Sequence, residues 1–340
     1  MLKCGAPLRR LRTAVPQAEA LFNTRARRRI HFLRTFAAQN ATTMNFSIPV
    51  TLPSAGPRLD AGSRVLTLGS CFAQHMGERL CDALPDGCVE VNPFGVLYNP
   101  ASIAAALGLL LAGGPLPDDL LFCGRDGLWH SWQHATPGFS APERAACADN
   151  VRRRLDGARR LLDGADTVVL TFGTAHVYEL RERPGLVVAN CHKEPAARFI
   201  ERRLAPHEAA GLLAAPLAEL HRRHPGLQVV LTVSPYRYTK LGLHGSTLSK
   251  AVLHLACEEL CARFGFASYF PAYEIVVDEL RDYRFYERDM LHPSAVAVDY
   301  VCERFAEWTF TPALRAAAAE REARLRRERH RDNTAARPRP

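Results

Sequence analysis

Between residues 64 and 308 the chain repeats one pattern: a short apolar, β-rich run, a turn, then an amphipathic helical stretch. The β-rich runs are Arg64–Leu68, Cys88–Val91, Thr167–Phe172, Gln228–Val233 and Phe266–Phe270. Helical spacing follows at Phe72–Leu84, Ala101–Ala112, Pro142–Asp163, Pro206–His224, Thr247–Phe264 and Pro293–Trp308. Parallel strands need crossover connections, so this alternation predicts an α/β fold: a three-layer α/β/α sandwich with a parallel sheet of about five strands. Thr167–Phe172 and Gln228–Val233 are apolar along nearly their whole length, as strands covered on both faces should be. Two segments break the alternation and predict inserted β-hairpins: Leu120–Gln133, turning at Gly124–Gly127, and Val177–Val188, turning at Arg183–Gly185.

The net charge of +9 belongs to the ends. Residues 1–43 hold nine Lys or Arg against Glu19, and residues 313–340 hold nine Arg against four acids, which leaves the stretch between them net acidic by four. Three regions follow: a basic, disordered extension over 1–43, a globular domain over 44–312, and a charged helical or disordered tail over 313–340. The first region reads either as an organelle transit peptide or, preferably, as sequence upstream of a true start at Met44. The ten cysteines include no Cys-x-x-Cys pair, which argues for free thiols in a reducing, cytoplasmic compartment and against a metal site. The longest apolar stretch, Ile103 to Gly114, is far short of the ~20 residues of a membrane span. No cofactor and no specific nucleic-acid partner is expected, although the basic ends would bind nucleic acid or anionic membrane nonspecifically.

Unusual residues stand after four of the β-rich runs: Gly69-Ser70-Cys71, Asn92-Pro93-Phe94-Gly95, Gly173-Thr174-Ala175-His176 and Ser234-Pro235-Tyr236-Arg237. Open parallel sheets bind ligands at these carboxyl ends. A strand-to-helix turn at Gly69-Ser70-Cys71 would present a side chain above the sheet edge, with the helix end lowering the Cys71 thiol pKa and N–H groups facing an oxyanion. The plainer reading is that Ser70 is an N-cap and Cys71 a small buried residue. Asp289-Met290-Leu291-His292-Pro293 places an acid and an imidazole on the loop before the last helix, two-thirds of a nucleophilic triad. Gly95 suits either an oxyanion donor or a turn. Asn190-Cys191-His192-Lys193, read as the end of a hairpin strand, could line the cleft or bind a metal, but adjacent strand residues face opposite ways, which argues against Cys191 and His192 sharing one ion and for a surface or structural role. The aromatic run Tyr269 to Tyr286 reads as core packing rather than a ligand platform.

These segments together resemble the GSCFA-domain family, whose name is the pentapeptide Gly69-Ser70-Cys71-Phe72-Ala73. The resemblance covers about residues 45–310 and includes Phe172–Ala175, Val188–Lys193, Thr232–Pro235, Ser249-Lys250-Ala251 and Tyr269–Pro293 in order. That family looks like a branch of the SGNH (GDSL-type) hydrolases, which implies a flavodoxin-like α/β/α fold. It also implies a Cys71 (or Ser70) nucleophile, His292 as base, Asp289 as its orienting acid, and Gly69 and Gly95 beside an oxyanion hole. The superfamily's third-block Asn falls on Ala175, so Thr174 or His176 would replace that donor; Gly173, Asn190 and His192 complete the expected substrate site. The implied activity is hydrolysis or transfer of an acyl group on a small molecule or glycan. The alternative is a carbohydrate- or ligand-binding protein on the same fold.

Overall fold

The computed structural model describes residues 47–135 and 138–335. Its contacts separate two units, Met1–Ile48 and Pro49–Pro340. The basic extension and the start at Met44 lie outside the described residues, and the described strands and helices belong to the second unit. Ten strands run in chain order: β1 Val65–Gly69, β2 Val89–Val91, β3 Leu121–Cys123, β4 Trp129–Ser131, β5 Thr167–Phe172, β6 His176–Leu180, β7 Val187–Val188, β8 Phe199–Arg203, β9 Gln228–Val233 and β10 Ala267–Phe270. The longer helices are α1 Cys71–Ala83, α2 Pro100–Ala112, α3 Arg144–Leu162, α4 Pro206–Arg223, α5 Gly242–Arg263, α6 Ala295–Thr309 and α7 Pro312–Ala335.

Five strands form one parallel sheet in the order β2-β1-β5-β9-β10. This is the flavodoxin-like order 2-1-3-4-5 with its switch point between β1 and β5. The period of two along each strand divides the core. Leu66, Leu68, Val168, Leu170, Val229 and Leu231 pack with α2, α3, α4 and α5 on one face. Val65, Val169, Val230 and Phe270 pack with α1, α6 and Leu314 of α7 on the other. Every residue of β1 and β5 is buried, which explains their unbroken apolar character. Each fully buried leucine contributes on the order of 1.5–3 kcal/mol, so the two-sided burial of these strands is the main stabilising term.

Both expected hairpins form, β3 with β4 and β6 with β7. The second gains β8 as a third, antiparallel strand, Phe199–Arg203, that the sequence did not announce. Of its five residues only Phe199 is buried, so it carries almost no apolar alternation. Helix α5 begins at Gly242, five residues before the expected Thr247, because its first turn exposes Leu243 and lacks a buried stripe. The segment Asn190–Lys193 is not strand: β7 ends at Val188, and His192 and Lys193 take the left-handed conformation with φ of 48° and 60°. Among the described residues no helix is long and apolar enough to cross a membrane.

The turn after β1 tolerates only glycine. Gly69 has φ of +148°, and a Cβ there would stand 2.2 Å from the Thr171 carbonyl oxygen. Gly69→Ala is expected to cost about 2–4 kcal/mol through strain and backbone displacement, read as a lower denaturation midpoint; an unchanged midpoint would show that the turn relaxes freely.

Candidate active site

The strand-to-helix turn is pinned by backbone bonds before any side chain acts. Gly69 N–H donates to the Asn92 side-chain oxygen at 2.9 Å, Ser70 N–H to Thr171 O at 3.1 Å, and Leu97 N–H to Gly69 O at 2.8 Å. Asn92 is buried with φ of 43°, a conformation asparagine adopts more readily than other side chains. Ser70 stands at the N-cap of α1, yet its hydroxyl makes no capping bond; it is buried without a partner among the described residues. Cys71 is the first residue of α1, half-buried, and lines a cavity of about 330 Å3 that Ser70 does not line. Burial pushes the Cys71 thiol above its ordinary value, outweighing the N–H groups of Phe72 and Cys71 and the charge of Lys250, which pull the other way. The helix end therefore does not deliver the lowered thiol pKa expected from the turn alone, because desolvation of the anion is the larger effect.

His292 faces the same cavity from the loop before α6. Asp289 Oδ1 accepts from Leu291 N–H at 2.9 Å and His292 N–H at 3.0 Å, and Oδ2 lies 2.5 Å from His292 Nδ1. The His292 backbone and ring bonds, with the Leu291 N–H, hold the Asp289 carboxyl down to about 2. An ionised carboxylate only accepts, so Nδ1 carries a ring proton, and Nε2 is the ring nitrogen left to accept whenever the ring is neutral. The Tyr236 ring packs on His292 at 4.4 Å between centroids and shares the cavity wall.

Of the other expected site residues, Gly173, Thr174, His176 and Asn190 line this cavity. Gly95 does not. Its N–H donates to Asn92 O at 2.8 Å, and with φ of +75° and Ala135 O 2.7 Å from a notional Cβ it is a turn glycine rather than an oxyanion donor. His192 also stays out of the wall: it is buried with Nε2 2.9 Å from Ser131 O and its ring 4.6 Å from that of His130. Its neighbour Cys191 takes the wall position instead. The loop after β5 has no N–H to spare. Gly173 and Thr174 both donate to Tyr98 O at 2.8 Å, and Ala175 donates to Ser249 Oγ at 2.8 Å. The Thr174 hydroxyl is occupied by Ser249 Oγ and His176 N–H. The His176 ring has no hydrogen-bond partner among the described residues, and its Nδ1 lies 3.9 Å from the Glu201 carboxylate.

Sequence reasoning passed over Tyr98, Tyr178 and Tyr238, which line this cavity, and gave no role to Lys250 or to Tyr236, although the motifs that hold those two were noted. Lys250 could have been found, because it shares a helical stripe with the buried Leu253 and Cys257, where a lysine needs a reason. The aromatic run divides: Phe270 is core, while Tyr273, Tyr283 and Tyr286 line a second cavity of about 340 Å3 that also meets Tyr236. Among the described residues no group of three or more His, Cys, Asp or Glu side chains could hold a metal ion.

Residues 64–305 match the family model of the GSCFA family. The chain belongs to the GSCFA family. No curated protein matches this GSCFA chain. Among solved structures it is similar to one from Streptococcus pneumonia provisionally described as a platelet activating factor, at 12% identity and a TM-score of 0.37, covering 86% of this chain and 99% of that one. It is also similar to the acetyl xylan esterase Est2A from the rumen bacterium Butyrivibrio proteoclasticus, at 13% identity and a TM-score of 0.31, covering 74% and 64%. These likenesses are too distant to bear on chemistry.

Three imidazoles of the GSCFA domain are held well below their ordinary value, those of His134 and His192 buried and that of His254 half-buried. Burial holds His134 down to about 3, and His192 and His254 to about 4, with the neighbouring charges of His192, His130 and Lys250 adding to the effect in turn. Below about pH 6.5 the unfolded chain takes up protons that the folded chain refuses, so stability present at neutral pH is lost as pH falls toward 4. The urea midpoint is expected to fall steadily between about pH 7 and about pH 4.5; a flat profile would show that these rings are not held neutral.

Proposed function

We propose that this GSCFA chain transfers or hydrolyses acyl groups, with Cys71 as nucleophile, His292 as base and Asp289 as the residue that fixes the His292 tautomer. The observation that carries the reading is that the Cys71 thiol and His292 line one cavity while Asp289 leaves His292 Nε2 as the free acceptor. The elevated Cys71 pKa makes such a base necessary, since the resting group is a thiol. His292 takes the thiol proton as sulfur bonds to the carbonyl carbon; the leaving oxygen or sulfur then takes that proton as its bond to carbon breaks. Water, or the hydroxyl of an acceptor, next attacks the thioester, gives its proton to His292 and frees the thiol. The first-turn N–H groups of Cys71 and Phe72, which act on the thiol, are the donors nearest to an oxyanion formed there.

The cavity is more apolar than polar, with Val188, Ala189 and four tyrosines in its walls, and its volume falls at the lower end of small-molecule sites, roughly 300–1,000 Å3. This suits a short acyl group on a small molecule or glycan, the rings offering faces on which a sugar stacks. The nine described cysteines are all free, which suits a reducing, cytoplasmic setting. One observation favours binding without turnover: every N–H of Gly173-Thr174-Ala175 is already bonded, so the loop after β5 adds nothing to an oxyanion hole.

A panel of short-chain acyl esters and thioesters tests the reading. Cys71→Ala should reduce turnover to background and Ser70→Ala should leave it within a few-fold, while Asp289→Asn should lower kcat/KM by roughly 10²–10⁴-fold through loss of the tautomer. Activity that survives Cys71→Ala and disappears with Ser70→Ala would move the nucleophile by one residue. Glycan binding with no turnover of any panel member would establish the binding protein instead.

A further inference from the structure

Arg237 and Arg281 line the second cavity, the one of about 340 Å3 that meets the Cys71 cavity at Tyr236, and the mechanism above uses neither. Tyr236 lines both cavities and packs its ring on His292, while the next N–H along the chain, that of Arg237, donates to Leu291 O at 3.0 Å on the loop that holds Asp289 and His292. The Arg237 guanidinium lies over the Tyr283 ring, 5.8 Å from its centroid, and donates to the Tyr283 hydroxyl at 3.2 Å, which leaves the rest of its planar fork open. Arg281 ends the π-helical turn Ile275–Leu280 in the left-handed conformation, with φ of 46° and its N–H donating to Val276 O at 3.1 Å. Any residue but glycine is strained there, and such outliers gather at ligand sites.

Among the described residues neither guanidinium has a carboxylate partner. Asp282, the one carboxylate on the described wall, is engaged elsewhere: Oδ1 accepts from Arg284 N–H at 2.9 Å, and Oδ2 lies 3.7 Å from Arg284 Nε. Lys250 also reaches the wall, but its Nζ already donates to Gly173 O at 2.7 Å and Ser234 O at 2.6 Å. The Tyr273 and Tyr286 hydroxyls on the same wall make no hydrogen bond among the described residues. The open groups are thus mainly donors, and the partner they fit is one that only accepts. We propose that this cavity binds the phosphate of a phosphorylated substrate, with Arg237 and Arg281 as its ligands and the tyrosine rings, Val276 and Val277 covering the body that carries it. A phosphate monoester has three acceptor oxygens and about twice the charge of a carboxylate, so it can take two guanidinium forks at once. The placement rests on the acyl-group reading in one respect: the phosphate belongs to the alcohol or thiol part of the ester whose carbonyl meets Cys71.

The test is calorimetric binding to the full chain at fixed ionic strength, with phenyl phosphate as the probe and benzoate and phenol as its comparisons. Phenyl phosphate should bind saturably, and the other two at least about tenfold more weakly. Arg237→Gln and Arg281→Gln should each weaken phenyl phosphate about tenfold. Asp282→Asn, which keeps an acceptor for Arg284 N–H and loses the charge, should tighten it a few-fold, and Arg263→Gln, at the exposed last residue of α5, should change it less than about twofold. No saturable binding, benzoate bound as tightly, an unchanged affinity in Arg281→Gln or an equal loss in Arg263→Gln would each overturn the proposal. Arg281 is exposed, so its variant can be read even if Arg237→Gln fails to fold. Phenyl phosphate bound with no acyl ester or thioester turned over would keep the phosphate site and remove the acyl reading; neutral esters turned over through Cys71 with no phosphate bound would do the reverse.

Discussion

The candidate site depends on how closely two strand ends approach one another. Gly69 at the end of β1 lies against the backbone of Thr171 in β5, and the contact leaves no room for a side chain. Because the chain turns there with a single residue between strand and helix, α1 starts beside the neighbouring strand end and its first residue, Cys71, lines the cavity. The Asn92 side chain and the Thr171 carbonyl take up the donors that this turn would otherwise bury unpaired. Gly173 closes the same junction from the other side, held by Tyr98 O and by Lys250. The position of Cys71 at the cavity is thus a product of sheet packing, set by contacts that its neighbours make.

Two kinds of electrostatics meet at this edge. Asp289 and His292 are exposed, so water screens them, and their coupling rests on short, directional hydrogen bonds. Cys71 is half-buried and Lys250 buried, so charge on either is expensive and burial pushes the thiol up and the amine down. Burial dominates the thiol and cancels the benefit of the helix end. A turn that looks activating on paper therefore holds a resting thiol, and reactivity has to come from partners on other elements.

Much of the fold was legible because buried parallel strands have to be apolar on both faces and the crossovers between them have to be helices. Val168 to Phe172 and Val229 to Val233 carry that signature without help from their surroundings. Strand β8 was illegible for the opposite reason: Phe199 is its single buried residue, so pairing with β6 defines it and its own pattern does not. Cys71, His292, Gly173, Thr174, His176 and Asn190, singled out for their position after strands, on the loop before the last helix or in the expected cleft segment, line one cavity. Gly95 and His192 were not, because their surroundings come from elsewhere in the chain, Ala135 beside one and His130 with Ser131 beside the other.

By itself the sequence determined the layer order, the edge at which chemistry would gather and the pairing of Asp289 with His292, since these follow from periodicity and from residues three apart on one loop. Tertiary structure alone decided which of Ser70 and Cys71 faces the cavity, that the N–H groups of Gly173, Thr174 and Ala175 are already bonded, and that Lys250, about 180 positions along the chain from that turn, bonds the Gly173 carbonyl. The physical reason is that burial and the exhaustion of hydrogen-bond donors are properties of the packed whole. Local pattern specifies which way a segment runs, and only the neighbours it meets determine what its side chains can do.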